Sequence, residues 1–202
     1  MDRFERASSD SARKSRLPRS SRHPYDQTMA HMKIRVASPA DAAALAQIAE
    51  ETFRQAFGEL NAAADMELYC RSHFGTARQG AEIAAADGAS LLVECQGELA
   101  GFSQLRWSAA PDCVAGPSPG EIARFYLLSA FHGKGVASEL MRISLETLQS
   151  HDCKTAWLGV WQENPRAIAF YRKHGFHIVG EQIFVLGNDH QRDFVLTRSL
   201  TD

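Results

Sequence analysis

The segment 121–140, EIARFYLLSAFHGKGVASEL, sets a carboxylate, Glu121, at the head of an apolar run that ends in a glycine-bearing turn. A helical pattern follows. At such a turn the first backbone N–H groups of the helix lack internal partners and converge on one spot, which the helix dipole makes positive. A phosphate fits there. Gly135 lets the chain approach an anion closely, Ala137 keeps the next approach open, and Lys134 adds charge at the mouth. An ordinary strand–helix connection that uses glycine only for turning has the same composition. The two common nucleotide-binding loops, G-x-x-x-x-G-K-[ST] and G-x-G-x-x-G, are both absent. A second segment, 157–176, WLGVWQENPRAIAFYRKHGF, carries an amide, Asn164, and a phenol, Tyr171. Glu121 can accept a proton and Tyr171 can give one. Each also has a plainer reading. Asn164 before Pro165 has the form of a helix cap, Tyr171 that of a core residue with a polar tip, and Glu121 that of an exposed strand-start carboxylate.

These residues need elements to hold them. Lys33–Val36 alternates as a strand, and Ser38-Pro39-Ala40-Asp41 starts a helix that runs to about Phe57, with a capping hydroxyl, a first-turn proline and an acid at the positive dipole end. Two helical stretches follow near 64–74 and 78–87. Ala89–Cys95 and Leu99–Trp107 read as strands paired around Gln96-Gly97-Glu98, and residues 108–119 as a loop rich in Ala, Pro and Gly. Then come a strand at Glu121–Leu128, a helix at Gly135–His151, a strand at Thr155–Trp161 and a helix at Asn164–His174 stopped by Gly175. Two strands, near 176–185 and 192–199, complete the pattern. No internal repeat is visible.

The 202 residues suit one domain, and 45% hydrophobic with 23% charged residues is the balance of a soluble globular protein. Seven of the 22 basic and four of the 24 acidic residues fall in 1–31, so 32–202 carries 15 basic against 20 acidic residues. An acidic body favours a cationic substrate and argues against a nucleic-acid groove, although a solubilising surface has the same composition. Residues 1–31, rich in Ser and Arg with almost no apolar content, are expected to form a disordered basic tail before a domain at 32–202, with Met29 and Met32 as alternative starts. Cys70, Cys95, Cys113 and Cys153 are scattered without a C-x-x-C pair, so neither a metal site nor a disulfide framework is expected; a cytoplasmic location is. No apolar run reaches the roughly 18 residues of a membrane span, and no signal-peptide pattern opens the chain.

The pattern His132-x-x-Gly135-x-Ala137 resembles the acyl-CoA motif of the GCN5-related N-acetyltransferases, which reads Arg or Gln, two residues, Gly, one residue, then Gly or Ala. His132 departs from the usual first residue, at a place where backbone amides make most contacts. Asn164 and Tyr171 match the second half of that family's site, where an Asn meets the pantetheine arm and a Tyr faces the thioester sulfur. The resemblance covers about 32–200. It implies an α+β fold, an α/β/α sandwich with a mixed central sheet of about seven strands flanked by helices. It implies acetyl-CoA as co-substrate, with no metal, held by Phe125, Tyr126, Leu127, His132, Gly133, Lys134, Gly135, Val136, Ala137, Ser138, Asn164 and Lys173.

A finer resemblance is to the Pai-type polyamine acetyltransferases, carried by Glu51-Thr52-Phe53 with Phe57, Asp65-Met66 with Tyr69 and Phe74, and the tail Phe184–Asp193. It implies a small-molecule amine acceptor, a polyamine among the candidates, and the acids Glu50, Glu51, Glu59, Asp65 and Glu67 on the acceptor-side helices agree with it. A solvated helix face would look alike. A protein or peptide acceptor, or a CoA-binding regulator without turnover, are the alternatives, and homodimer formation is left open. The resemblance places the base at Glu121; the position used by another branch of the family is Gly159, which has no side chain to serve. It casts Tyr171 as the acid that protonates the leaving thiolate and places an oxyanion donor within Phe125–Leu127.

Overall fold

The structure, a computed structural model, describes residues 31–107 and 110–201. Seven strands form one sheet in the order β1-β2-β3-β4-β5-β7-β6: β1 (Met32–Val36), β2 (Gly88–Cys95), β3 (Glu98–Arg106), β4 (Pro119–Leu127), β5 (Thr155–Trp161), β6 (His177–Leu186) and β7 (Asp189–Ser199). Neighbours run antiparallel, save β4 and β5. The helices are α1 (Ala42–Phe57), α2 (Ala63–His73), α3 (Thr76–Ala84), α4 (Val136–Ser150) and α5 (Pro165–Lys173).

Strand alternation sends successive side chains to opposite faces. In β2, Leu91 and Val93 join a core with Leu140, Met141, Leu145 and Leu148 of α4. Leu92 between them joins a second core with Leu45, Ile48 and Phe53 of α1 and Met66 and Tyr69 of α2. The sheet is thus covered on both sides, as the α/β/α expectation requires. Asp41 does more than face a dipole: its carboxylate accepts from both terminal nitrogens of Arg35, at 2.9 and 2.8 Å, and from Ser38 N at 2.7 Å, tying β1 to the helix entry.

The helix expected near 78–87 spans Thr76–Ala84, and two further boundary differences have a local cause. The loop ends at Ser118 rather than 119, because Pro119 at the first strand position gives up no needed ladder bond. Gly120 then packs where any Cβ would meet Cys153 Sγ and Leu148 Cδ2 at 2.7 Å. β7 begins at Asp189 because Gly187, at φ +61°, and Asn188 close a tight turn held by Asn188 N donating to Asp65 Oδ1 at 2.8 Å. The tail expected over 1–31 lies, apart from His31, outside the described residues. Among the described residues no helix is long and apolar enough to cross a membrane.

Candidate active site

β4 and β5 pair in parallel only where Pro119, Gly120 and Glu121 meet Thr155, Ala156 and Trp157. Beyond Glu121 the strands part, so the edge of β4 facing β5 has no strand partner. β4 also carries a bulge: Gln104 pairs with Arg124 and Leu105 with Ile122, which leaves Ala123 as the extra residue. Bulges bend a strand and re-aim its side chains. A cavity of about 390 Å³ occupies the split, within the range of small-molecule pockets. It is lined from both faces of the sheet, by Tyr69 and Phe53 on one side and Tyr171 on the other.

Glu121, Phe125, Tyr126, Asn164 and Tyr171 all line this cavity. Burial raises the proton affinity of Glu121 above that of an ordinary carboxylate, against the opposing pull of Arg106 and Arg124; Arg106 Nη1 lies 3.8 Å from it. Tyr171, on α5, is 9% exposed and packs its ring against Phe125, Phe170 and Phe176. Burial alone pushes its phenol well above the usual tyrosine range. Asn164 caps α5, its Oδ1 accepting from Ala167 N at 3.1 Å, so its cap role is present while its side chain also faces the cavity.

The turn after β4 lies apart from these residues. Gly133 and Gly135 sit at φ +73° and +82°, where any side chain would be strained. The first α4 bond between backbone groups outside the helix body is Glu139 N to Gly135 O, so the N–H groups of Val136, Ala137 and Ser138 have no carbonyl partner among the described residues. The Val136 side chain is fully buried and contributes its backbone only. His132 donates from Nε2 to Leu127 O at 3.1 Å, and burial lowers its proton affinity. It therefore braces the turn as a neutral ring. Lys134 Nζ stands 5.5 Å from the Phe131 ring centre. Lys173 is exposed at the end of α5, and Leu127 is buried. Gly135 and Ser138 face a separate shallow groove along α4.

The sequence reading missed four charged groups in the cavity: Arg78, Arg106, Arg124 and Asp193. The three arginines share one carboxylate. Glu82 accepts from Arg78 Nε at 2.9 Å and Arg124 Nη1 at 2.5 Å, with Arg106 Nη2 at 3.4 Å. Burial alone would raise the Glu82 carboxyl, but Arg124, Arg78 and Arg106 together hold it below the usual range. Asp193 stands on β7, 7% exposed, with Oδ1 buried and unpartnered. Desolvation pushes its pKa up to about 6. It reaches over Gly159, where a Cβ would come within 2.5 Å of Gln182 Nε2 and 3.3 Å of Asp193 Oδ2. Thus Gly159 lacks a side chain because its neighbours on β6 and β7 fill that space.

A family model described as the acetyltransferase (GNAT) family matches residues 43–176, which take in both segments singled out above. The chain belongs to this family. A protein of Lactobacillus delbrueckii subsp. lactis, described as an uncharacterized N-acetyltransferase, is 32% identical over 172 residues, 85% of this chain and 99% of its own. A spermine/spermidine N(1)-acetyltransferase of Bacillus subtilis is 26% identical over 92 residues, 44% of this chain and 59% of its own. Among solved structures, the PaiA N-acetyltransferase of Thermoplasma acidophilum in complex with coenzyme A shares the fold, with a TM-score of 0.66 at 19% identity over 83% of this chain and 98% of that one. The enzyme class follows from the family. Among the described residues no group of His, Cys, Asp or Glu is placed to hold a metal.

Proposed function

We propose that this chain transfers an acetyl group from acetyl-CoA to the primary amine of a small molecule. One observation carries the reading: the split between β4 and β5, with Glu121 and Tyr171 on the walls of the cavity within it. The turn fits the co-substrate's phosphates, since three adjacent N–H groups without carbonyl partners and two glycines at positive φ make an anion cradle at a helix start. His132, Gly133, Lys134, Gly135, Val136, Ala137 and Ser138 would hold that end. Asn164, Phe125, Tyr126 and Leu127 would hold the pantetheine end, and Lys173 would contribute charge at the rim. Acetyl-CoA supplies an acyl group on a good leaving thiolate.

The protein's part is proton traffic and positioning. An alkyl ammonium has a pKa near that of lysine, about 10, and must lose a proton before it attacks. Glu121 Oε takes that proton, directly or through water, and burial makes it a stronger base for the purpose. A backbone N–H within Phe125–Leu127, on the unpaired edge of β4, stabilises the developing oxyanion; such a donor typically contributes about 3 kcal/mol. The Tyr171 hydroxyl donates to the departing sulfur. Its raised pKa keeps the proton on oxygen and makes a hydrogen bond its main contribution, since a thiol at about 8.5 is the stronger acid. Attack by the amine on the thioester needs no covalent enzyme intermediate, and no cysteine is among the residues that line the cavity.

A polyamine acceptor is supported by the Bacillus relative's description. The acidic helices support it less, because Glu50 and Glu67 pair with Arg54, Glu67 also pairs with Arg71, and Asp65 accepts from Asn188. The test of the overall reading is thermal unfolding of the full chain with and without millimolar acetyl-CoA. A ligand that binds the folded state alone raises the melting temperature. A folded sample with no shift would contradict the reading.

A further inference from the structure

The cavity's two walls carry opposite charge. On the β3, β4 and α3 side stand Arg78, Arg106 and Arg124. Glu82 serves all three, and Glu121, 3.8 Å from Arg106, is the next nearest carboxylate. Arg124 is consumed within the fold: it is 8% exposed, and its Nη1 also donates to Gln104 Oε1 at 2.6 Å. Arg78 and Arg106 are not consumed. Arg78 contacts Glu82 through Nε, and among the described residues its terminal nitrogens have no hydrogen-bond partner. Both side chains are open to solvent, at 53% and 39% exposure, while lining the cavity.

On the β5, β6 and β7 side stands Asp193. It is 7% exposed, Oδ1 has no hydrogen-bond partner, and no arginine, lysine or histidine lies within ion-pair distance among the described residues. A buried polar group without a partner costs folding free energy and calls for an explanation. Two devices maintain this one. Gly159 clears the space beneath it, and Gln182 fills the rest of that space from β6.

We propose that the acceptor is a small amine that also carries an acidic group, held with its ammonium at Asp193 and its acidic group at Arg78 and Arg106. The inference rests on the acetyl-transfer reading, and not on Glu121 being its base. An ammonium gives Asp193 the charge-assisted partner it lacks. A carboxylate or phosphonate matches the guanidinium fork of Arg78, whose terminal nitrogens are free to bind it as a pair. A polyamine would satisfy Asp193 but bring further positive charge toward guanidiniums that already outnumber their carboxylates. The walls therefore select for the zwitterion and against the polycation, as specificity by repulsion does.

The experiment follows CoA release by the full chain with acetyl-CoA and matched acceptors: α- and ω-amino acids, aminoalkyl phosphonates, the same amines without the acidic group, and diamines including spermidine. We expect the best amino acid or phosphonate to exceed its matched amine in kcat/KM by about tenfold or more, a difference of about 1.4 kcal/mol. Arg78→Ala should collapse that ratio toward one, and Arg78→Lys should restore part of it. Asp193→Asn should lower kcat/KM for every amine about tenfold or more while acetyl-CoA affinity is kept, which also shows that the variant is folded. Diamines outrunning amino acids, or an acid-to-amine ratio that Arg78→Ala leaves intact, would overturn the proposal. Release with plain amines alone would overturn it while leaving acetyl transfer standing. No release with any amine, in a protein that binds acetyl-CoA, would overturn both.

Discussion

Glu121, Asp193 and Tyr171 line one cavity, and burial moves all three toward the protonated form. For Asp193 the effect reaches stability. Its pKa lies near 6 in the folded chain, against 3.8 for a free carboxyl, so between those values the folded state binds more protons than the unfolded one. Stability then falls as pH rises through the window, by at most about 3 kcal/mol. Asp193→Asn should therefore be more stable than the wild type above pH 6, by up to that amount, and nearly equal to it at pH 3, below both values. Urea unfolding of both proteins at the two pH values measures this, and a variant destabilised at neutral pH would contradict it. For Tyr171, replacement by Phe keeps the ring and its contacts with Phe125 and Phe176. Turnover should fall roughly 10²-fold with acetyl-CoA affinity unchanged. Glu121→Gln should remove the acid limb of the kcat/KM profile, because below its raised pKa the wild-type carboxyl is already protonated and cannot act as base. Loss of acetyl-CoA affinity without loss of turnover would make Tyr171 a pocket wall instead.

At the scale of elements, the chain states its strands and helices plainly, because each has one apolar face and a turn residue at its end. Gly97 and Gly135 both stand at positive φ where the sequence places a turn or a helix start. Replacing Gly135 by Ala should cost about 1 kcal/mol, since an L-residue resists the left-handed region, and should weaken acetyl-CoA binding at the same time. Chemical unfolding and a binding titration on the same sample would show both; a stability loss with unchanged binding would separate the turn from the phosphates. The bulge at Ala123 and the parting of β4 from β5 left no mark in the sequence. Both depend on which strands become neighbours, and that is decided by pairings such as Gln104 with Arg124 across 20 positions. That Glu121 and Tyr171 line one cavity was legible because a family pattern carries both. The arginine wall was not, because α3, β3 and β4 each contribute one residue of it.

At the scale of the molecule, Asp193 shows how a glycine in one strand and a carboxylate in another make one feature. Gly159 reads in sequence as an absent base, whereas in the fold it is the space that Asp193 and Gln182 fill. If residues 1–31 are the tail that their Ser- and Arg-rich composition predicts, their removal leaves melting temperature and turnover nearly unchanged. A truncated chain that loses most of its activity would assign those residues a role. The central claim, direct transfer of an acetyl group to a bound amine, is tested most directly by mass spectrometry of a reaction holding protein, acetyl-CoA and a single primary amine. The account predicts one acetylated amine for each CoA released, no release above background without the amine, and no acetylated protein at any time. Release that needs no amine, or an acetyl group found on the protein itself as an intermediate, would contradict it.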